Sequence, residues 1–404
     1  MIAFARAPFF LSTFSLFFFF FFLSVLGGAA TRQPARRLVV NGTQLLDGAQ
    51  PVRLTGFNWQ LGRTGPDPGR LQRQLSPRAN VARLVGVLFG NTQPLSRDPA
   101  KECMTEVPPT YFNDACFAAL DAWVLSATRA GLWVILAVRG EYLAGQNYAS
   151  DPGSSVFRNA TLLARLQGMW AHVAAHYSTF DSMAAYEILS EPRDKTVPPE
   201  AVRNVYEQAC AAAHAGDAAT PCMVGPAPYY KLYNLGPSTL LRNTRNAIYT
   251  FDYFNPDDFV FGQATHIPAY GPAYACATLY DGWVSAACPT WRAAPSQEIP
   301  FNRTWHEHNL RTWAVALQAV HPVPLFLNQF EVAHGVARAQ GRYTYIADLL
   351  ALLQELDMGW AWWTWAGGSG SGWASGSSEI VFRWPNGSVM IDTAVLQTMA
   401  PYMH

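Results

Sequence analysis

"NATLLARLQGMWAHVAAHYSTFDSMAAYEILSEPR", residues 159–193, carries the pattern that decides the fold. Apolar residues recur at helical spacing from 159 to 177, with Asn159 where an N-cap belongs. A short apolar run then fits a strand over 183–189 that is buried on both faces. Glu191 lies between Ser190 and Pro192, and the proline ring ends the strand there.

The same alternation extends in both directions. Further strands are predicted at 52–58, 80–87, 132–139, 221–226, 247–254, 324–330 and 358–365, and further helices at 112–130, 198–214, 304–320 and 342–356. Asp114 is placed as a second N-cap, and Pro198-Pro199 opens a helix where proline is tolerated. Near-continuous apolar strands alternating with helices call for a parallel sheet covered by helices. Eight such units predict a single closed (β/α)8 TIM barrel, an α/β fold, over residues 31–404. No GxGxxG follows the first strand, which argues against an open dinucleotide-binding sheet. A short N-terminal hairpin, turning at Asn41-Gly42 and Asp47-Gly48, leads into the barrel. The stretch "GGSGSGWASGSS" (367–378) reads as a loop after the eighth strand.

Of the 404 residues, 50% are hydrophobic and 14% charged, enough apolar material for a large core. Lys+Arg 28 balances Asp+Glu 28, so no basic field exists to attract a nucleic acid. The N-terminus has Arg6, an apolar run from Phe9 to Ala30 and a small-residue exit "GGAA". This reads as a secretory signal peptide over 1–30, giving a secreted protein; an uncleaved membrane anchor is the alternative.

Cys103, Cys116, Cys210, Cys222, Cys276 and Cys288 form three close sequential pairs, for which neighbour pairing is the simplest disulfide pattern. Sequons at Asn41, Asn159, Asn302 and Asn386 agree with an oxidising, glycosylating compartment. No zinc spacing occurs, and His306 and His308, two apart at a helix start, fall on different faces. No metal or cofactor is implied, and the chain is read as a monomer.

Function in such a barrel gathers where strands end. Glu191 closes the fourth strand and is a general-acid candidate, with a loop ion pair to Arg193 as the competing reading. In "VPLFLNQFEVAHG" (323–335), Gln329 and Glu331 share a strand face. Two carboxyls across a pocket suit glycosidic cleavage, one protonating the leaving oxygen and the other attacking or activating water. At the eighth strand, Trp363 and Trp365 share a face and could floor a sugar site, while Trp360 or Trp362 packs against helices.

Taken in order, "NGTQLLDGAQPVRLTGFNW", the arginine of "NVARLVGV", the "SEP" of the fourth strand and "PLFLNQFEV" of the seventh resemble glycoside hydrolase family 5, the cellulase family of barrel enzymes. The resemblance covers roughly residues 37–402. It implies a carbohydrate substrate, Glu191 as acid/base, Arg83 as the arginine supporting the nucleophile, and Trp363 as a platform for the sugar. Ser190 stands where the family has the asparagine that bonds the sugar 2-hydroxyl. The third-strand Asp-x-His becomes Ala137-Val138-Arg139, and the sixth-strand His-x-Tyr becomes Asp252-Tyr253-Phe254. The family's Gly-Glu-Phe-Gly falls on Asn328-Gln329-Phe330-Glu331, so Gln329 occupies the nucleophile position.

A carboxamide cannot accept the glycosyl group. Glu331 could replace it as nucleophile, oriented by Arg83; the enzyme could invert, with Glu331 or Asp252 as base; or the barrel could bind glycan without cleaving it. Arg139 and Asp252 could form an ion pair, or Arg139 could face a sulfated or uronate sugar.

Overall fold

The computed structural model describes residues 36–60, 67–87, 104–105, 111–112, 114–139, 155–263, 265–280, 287–336, 338–367, 378–383 and 388–403; the side chains of 86, 87, 104, 105, 111, 112, 115, 116, 139, 367, 382 and 383 are outside that set. Eight parallel strands close into a barrel in chain order. They are β1 (Thr55–Gln60), β2 (Val81–Val87), β3 (Trp133–Arg139), β4 (Met183–Ser190), β5 (Cys222–Val224), β6 (Ala247–Asp252), β7 (Leu325–Phe330) and β8 (Gly359–Trp362). Every predicted strand is found, and the fold is the (β/α)8 barrel read from the sequence.

Alternation along each strand divides the side chains between two environments. Outward-facing Phe57, Leu84, Leu136, Ile188, Leu327 and Trp360 join the large core shared with the helices. Inward-facing Val81, Ile135, Ala185, Ile248, Phe326 and Ala361 fill the lower barrel. Above that apolar layer the interior turns polar, with Asn58, Arg83, Glu187 and Asn328 all at 0% exposure. That change sets the floor of the functional site.

The N-terminal hairpin proves to be a three-stranded antiparallel sheet of Leu38–Asn41, Gln44–Asp47 and Gln50–Val52. Leu38 and Leu45 join the lower barrel cluster, so this sheet plugs the end opposite the site. Its turns place Gly42 and Gly48 at φ 59° and 60°, the left-handed region glycine occupies without cost.

The helices at Asp114–Arg129, Ala160–Tyr177, Pro199–Gly216 and Arg342–Glu355 lie within a few residues of their predicted spans. Asn159 is the expected N-cap, accepting from the backbone N–H groups of Thr161 and Leu162. Asp114 instead falls inside the first helical turn. The predicted 304–320 helix contains a π-helical stretch, Leu310–Val315, between two α segments. Helices Pro68–Leu75 and Thr393–Met399 were not predicted.

Cys210 is bridged to Cys222 and Cys276 to Cys288, each pair with Cα atoms 5.9 Å apart, as neighbour pairing anticipates. The first bridge ties the 199–216 helix to the start of β5. Cys103 and the Cys116 side chain lie outside the described residues. No helix among the described residues is long and apolar enough to cross a membrane.

Candidate active site

Arg83 is the centre of the polar layer. Its Nε and one terminal nitrogen grip the two oxygens of Glu187 at 2.6 and 2.7 Å, and the same terminal nitrogen reaches Ser190 Oγ at 2.8 Å. The other terminal nitrogen donates to Asn58 Oδ1 at 2.5 Å. Asn328 adds a donor to Glu187 at 3.2 Å. Arg83 and Glu187 are both wholly buried, so each needs the other for charge balance and a full set of bonds. Arg83 was expected to orient Glu331. Its bidentate partner is Glu187, a residue the sequence reading did not single out.

Glu191 stands at the mouth, one residue beyond β4. Its φ of 48° is unusual for a non-glycine residue and costs on the order of 1–3 kcal/mol. Tyr230 donates its hydroxyl hydrogen to the Leu189 carbonyl at 2.6 Å, and Tyr229 donates its N–H to the Pro192 carbonyl at 2.9 Å. These bonds hold the backbone on both sides of the strained residue. Ser190, where the family resemblance has asparagine, bonds Arg83 and so fixes the neighbouring backbone.

Asp252 ends β6 and is 0% exposed. Its carboxyl is pushed well above the usual carboxylate range, first by burial and then by the charge of the facing Glu191 carboxyl. Gln329 donates to Asp252 Oδ2 at 3.4 Å, while Oδ1 meets no N–H or O–H donor among the described residues. Two carboxyl groups in contact are stable only with a proton between them. Burial and the facing carboxyl both favour the protonated form of Asp252.

Gln329 reaches Asp252 because β7 bulges. Leu327 pairs with Trp360 and Phe330 with Trp362, so β7 spends three steps where β8 spends two. Asn328 and Gln329 both turn inward, and Phe330 packs outward with ring centroids 5.8 Å from Trp360 and 5.1 Å from Trp362.

Glu331, expected as nucleophile or base, is placed elsewhere. It is 6% exposed and meets Ser378 Oγ in the segment after β8. Burial above all, aided by Glu379 and Glu191, pushes its carboxyl up to about 8, against the opposing pull of the Ser378 bond and Arg342. A carboxyl in that condition is mostly neutral at pH 7, when a nucleophile or base must be ionised.

The tryptophans separate just as sharply. Trp365 is 0% exposed with its ring 4.8 Å from Phe57, which removes it from the expected sugar floor. The chain leaves barrel pairing after Trp362, and Trp365 N–H turns back to bond the Asn58 carbonyl. Trp360 and Trp362 are also fully buried, leaving Trp363 half-buried at the rim.

The Arg139 side chain lies outside the described residues, so the expected Arg139–Asp252 pairing rests on sequence alone. His306 is fully buried beside the Tyr253 hydroxyl, and burial drives it down to about 3. His308 stacks on Trp291 at 3.9 Å and bonds Thr290 Oγ1. Among the described residues no group of acidic, histidine or cysteine side chains is arranged to hold a metal.

A model of the cellulase family matches residues 94–369. The chain is 22% identical over 330 residues to a putative mannan endo-1,4-beta-mannosidase of Oryza sativa subsp. japonica, covering 72% of this chain and 70% of that protein. Its fold is similar to a broad-specificity endoglucanase from Bacteroides salanitronis, with a TM-score of 0.62 and 14% identity over 86% of this chain and 93% of that one. It is also similar to Thermotoga maritima Cel5A in complex with mannotriose, with a TM-score of 0.58 and 14% identity over 86% and 97% of the two chains. The match over more than half the sequence, on a barrel with an acidic mouth, establishes that the chain belongs to the cellulase family, glycosyl hydrolase family 5, the glycosidases of β-linked glycans.

Proposed function

We propose that this chain is a secreted hydrolase of β-linked hexose polysaccharides of the mannan or glucan type, working with Glu191 and Asp252 as its two carboxyls. The observation that carries the proposal is that the two carboxyls face each other at the barrel mouth, closely enough for Glu191 to raise the Asp252 carboxyl. Single displacement needs one protonated and one ionised group. As the pair opens, the proton held on Asp252 passes to Glu191, which gives it to the glycosidic oxygen as the C–O bond breaks, while the ionised Asp252 takes a proton from the water attacking the anomeric carbon. When the sugar leaves and the pair closes, Asp252 holds the proton again and Glu191 is ionised, which restores the starting state.

Carboxyls in contact leave no room for sugar and water, so the pair must open on binding. β4 and β6 are two strand steps apart, about 10 Å, and relaxing the side chains toward their own strands reaches the roughly 6.5–9.5 Å of inverting enzymes. Gln329 at the usual nucleophile position favours this route over a covalent intermediate.

The substrate class rests on the rice relative's name and on the mannotriose held by the Thermotoga neighbour. Secretion rests on the apolar leader and is supported by two disulfides. Asn41 is exposed and Asn159 and Asn302 are half-buried, so these three sequons have surface for glycosylation; Asn386 lies outside the described residues.

The deciding experiment follows β-1,4-mannan and β-1,4-glucan oligosaccharides by proton NMR with wild type, Glu191→Gln and Asp252→Asn. Hydrolysis with inversion, lowered at least ~10²-fold in each variant, is expected. Retained configuration would overturn the role of Asp252. Gln329 also favours a second reading, a barrel that binds glycan without cutting it. Oligosaccharide binding by calorimetry with no turnover in wild type would establish that reading instead.

A further inference from the structure

Ser378 raises a problem of proton inventory. Its Oγ contacts Glu331 Oε2 and also lies 2.7 Å from the Trp363 carbonyl oxygen. A hydroxyl has one hydrogen to give, and a carbonyl can only accept. If Glu331 were ionised, two acceptors would compete for that hydrogen, and one buried oxygen pair would be left in repulsive contact.

We infer that Glu331 is a positioning residue, a neutral carboxylic acid that donates to Ser378 Oγ and so commits the Ser378 hydrogen to the Trp363 carbonyl. Every atom in the chain is then satisfied: Glu331 O–H to Ser378 Oγ, and Ser378 O–H to Trp363 O. The Trp363 N–H donates to the Phe330 carbonyl at 3.0 Å, so the peptide groups on both sides of this residue are tied to the end of β7. Trp363 is the half-buried member of the eighth-strand tryptophans, and this brace fixes the backbone from which its ring projects.

The charged surroundings agree. Glu379 and Glu191 face Glu331 with like charge. Arg342 is the cation that opposes them, with its Nε donating to the Val332 carbonyl at 3.1 Å and its Nη1 to Asp392 at 2.9 Å. His334 bonds the Glu379 carbonyl at 3.0 Å and lies 3.2 Å from Asp392, which anchors the strip carrying Ser378. Burial with these neighbours keeps the proton on Glu331 up to about 8.

The value of the brace for catalysis rests on Trp363 as a sugar platform, whereas the protonation state does not. Infrared difference spectra of wild type against Glu331→Gln across a pH series read that state directly. A protonated-carboxyl stretch present at neutral pH, absent from the variant and lost with a midpoint near 8 is expected. A band that appears only in acid overturns the inference. In kinetics, Glu331→Leu and Ser378→Ala should raise KM about tenfold with little change in kcat. Glu331→Gln, whose carboxamide nitrogen can also donate to Ser378, should restore KM. A kcat loss in Glu331→Gln as large as the ~10²–10⁴-fold expected for a general acid or base would overturn it too. If wild type cleaves nothing, the hydrolase reading fails while the infrared band still decides this one.

Discussion

Replacing Arg83 with methionine tests both the stability of the barrel and the placement of its acid. The substitution keeps an unbranched apolar stem and removes the cation that holds both oxygens of Glu187, Ser190 Oγ and Asn58 Oδ1. Glu187, at 0% exposure, is left with Asn328 as its donor. Removing one partner of a buried ion pair costs about 3–5 kcal/mol, because the surviving charge has lost its water and gained nothing in return. The cost is measured from urea unfolding with the disulfides kept oxidised, as a fall in midpoint at constant slope. The double variant Arg83→Met/Glu187→Leu removes both charges and should recover most of the loss, since apolar isosteres of buried pairs are often neutral or better. It should not recover activity, because Ser190 next to Glu191 has still lost its anchor. A single variant costing less than ~1 kcal/mol, or a double variant no more stable than the single, would refute the charge-balance argument.

Glu331 gives stability a pH dependence whose sign follows from its raised pKa. The folded state holds more protons than the unfolded one between the ordinary 4.5 and about 8, so stability should fall by about 4–5 kcal/mol as pH rises across that window and Glu331→Gln should flatten the decline. Asp392, held down to about 2 despite its burial by bonds to His334, Val395 N–H and Arg342, acts in the opposite sense. Its contribution is full above the ordinary 3.8 and is lost as pH falls toward 2, so Asp392→Asn should blunt acid unfolding in that range. Trp365→Ala should cost about 3–5 kcal/mol in urea with KM unchanged, whereas Trp363→Ala should raise KM and leave stability nearly untouched. Replacing Cys210 and Cys222 by serine should cost about 2–3 kcal/mol, the range for a bridge closing a short loop, measured by the same unfolding assay.

Strands such as 132–139 and 183–189 were legible because a parallel barrel strand is apolar on both faces and ends abruptly at polar or turn residues. The observed spans, Trp133–Arg139 and Met183–Ser190, differ by a residue. The eighth strand was read three residues too long, since "WAWWTW" stays aromatic after the backbone has left the barrel. The helix at Pro68–Leu75 escaped notice because it is short and polar, although Asp67 caps it and Pro68 opens it. Glu187 carried a readable signal. It is a lone acid in the apolar run "MAAYEILS", as Arg83 is a lone base in "VARLVGV", and two such charges inside one barrel must find each other.

The meeting of Glu191 with Asp252 had no such signal. The two residues are separated by β5 and its flanking loops, and only closure of the barrel brings the ends of β4 and β6 toward a common centre. Sequence comparison along β7 made Gln329 a lost nucleophile with Glu331 as its nearest replacement. The bulge at Asn328 and Gln329 changes that reading, because it aims the Gln329 amide at Asp252 and leaves Glu331 to Ser378. A donor at position 329 is useful only if an acceptor faces it, and a carboxylate there would have set a third acid beside Asp252 and Glu191. Gln329 and Asp252 are therefore complementary departures: an acid on β6 is matched by an amide on β7, and in the proposed mechanism the second carboxyl sits one strand around the barrel.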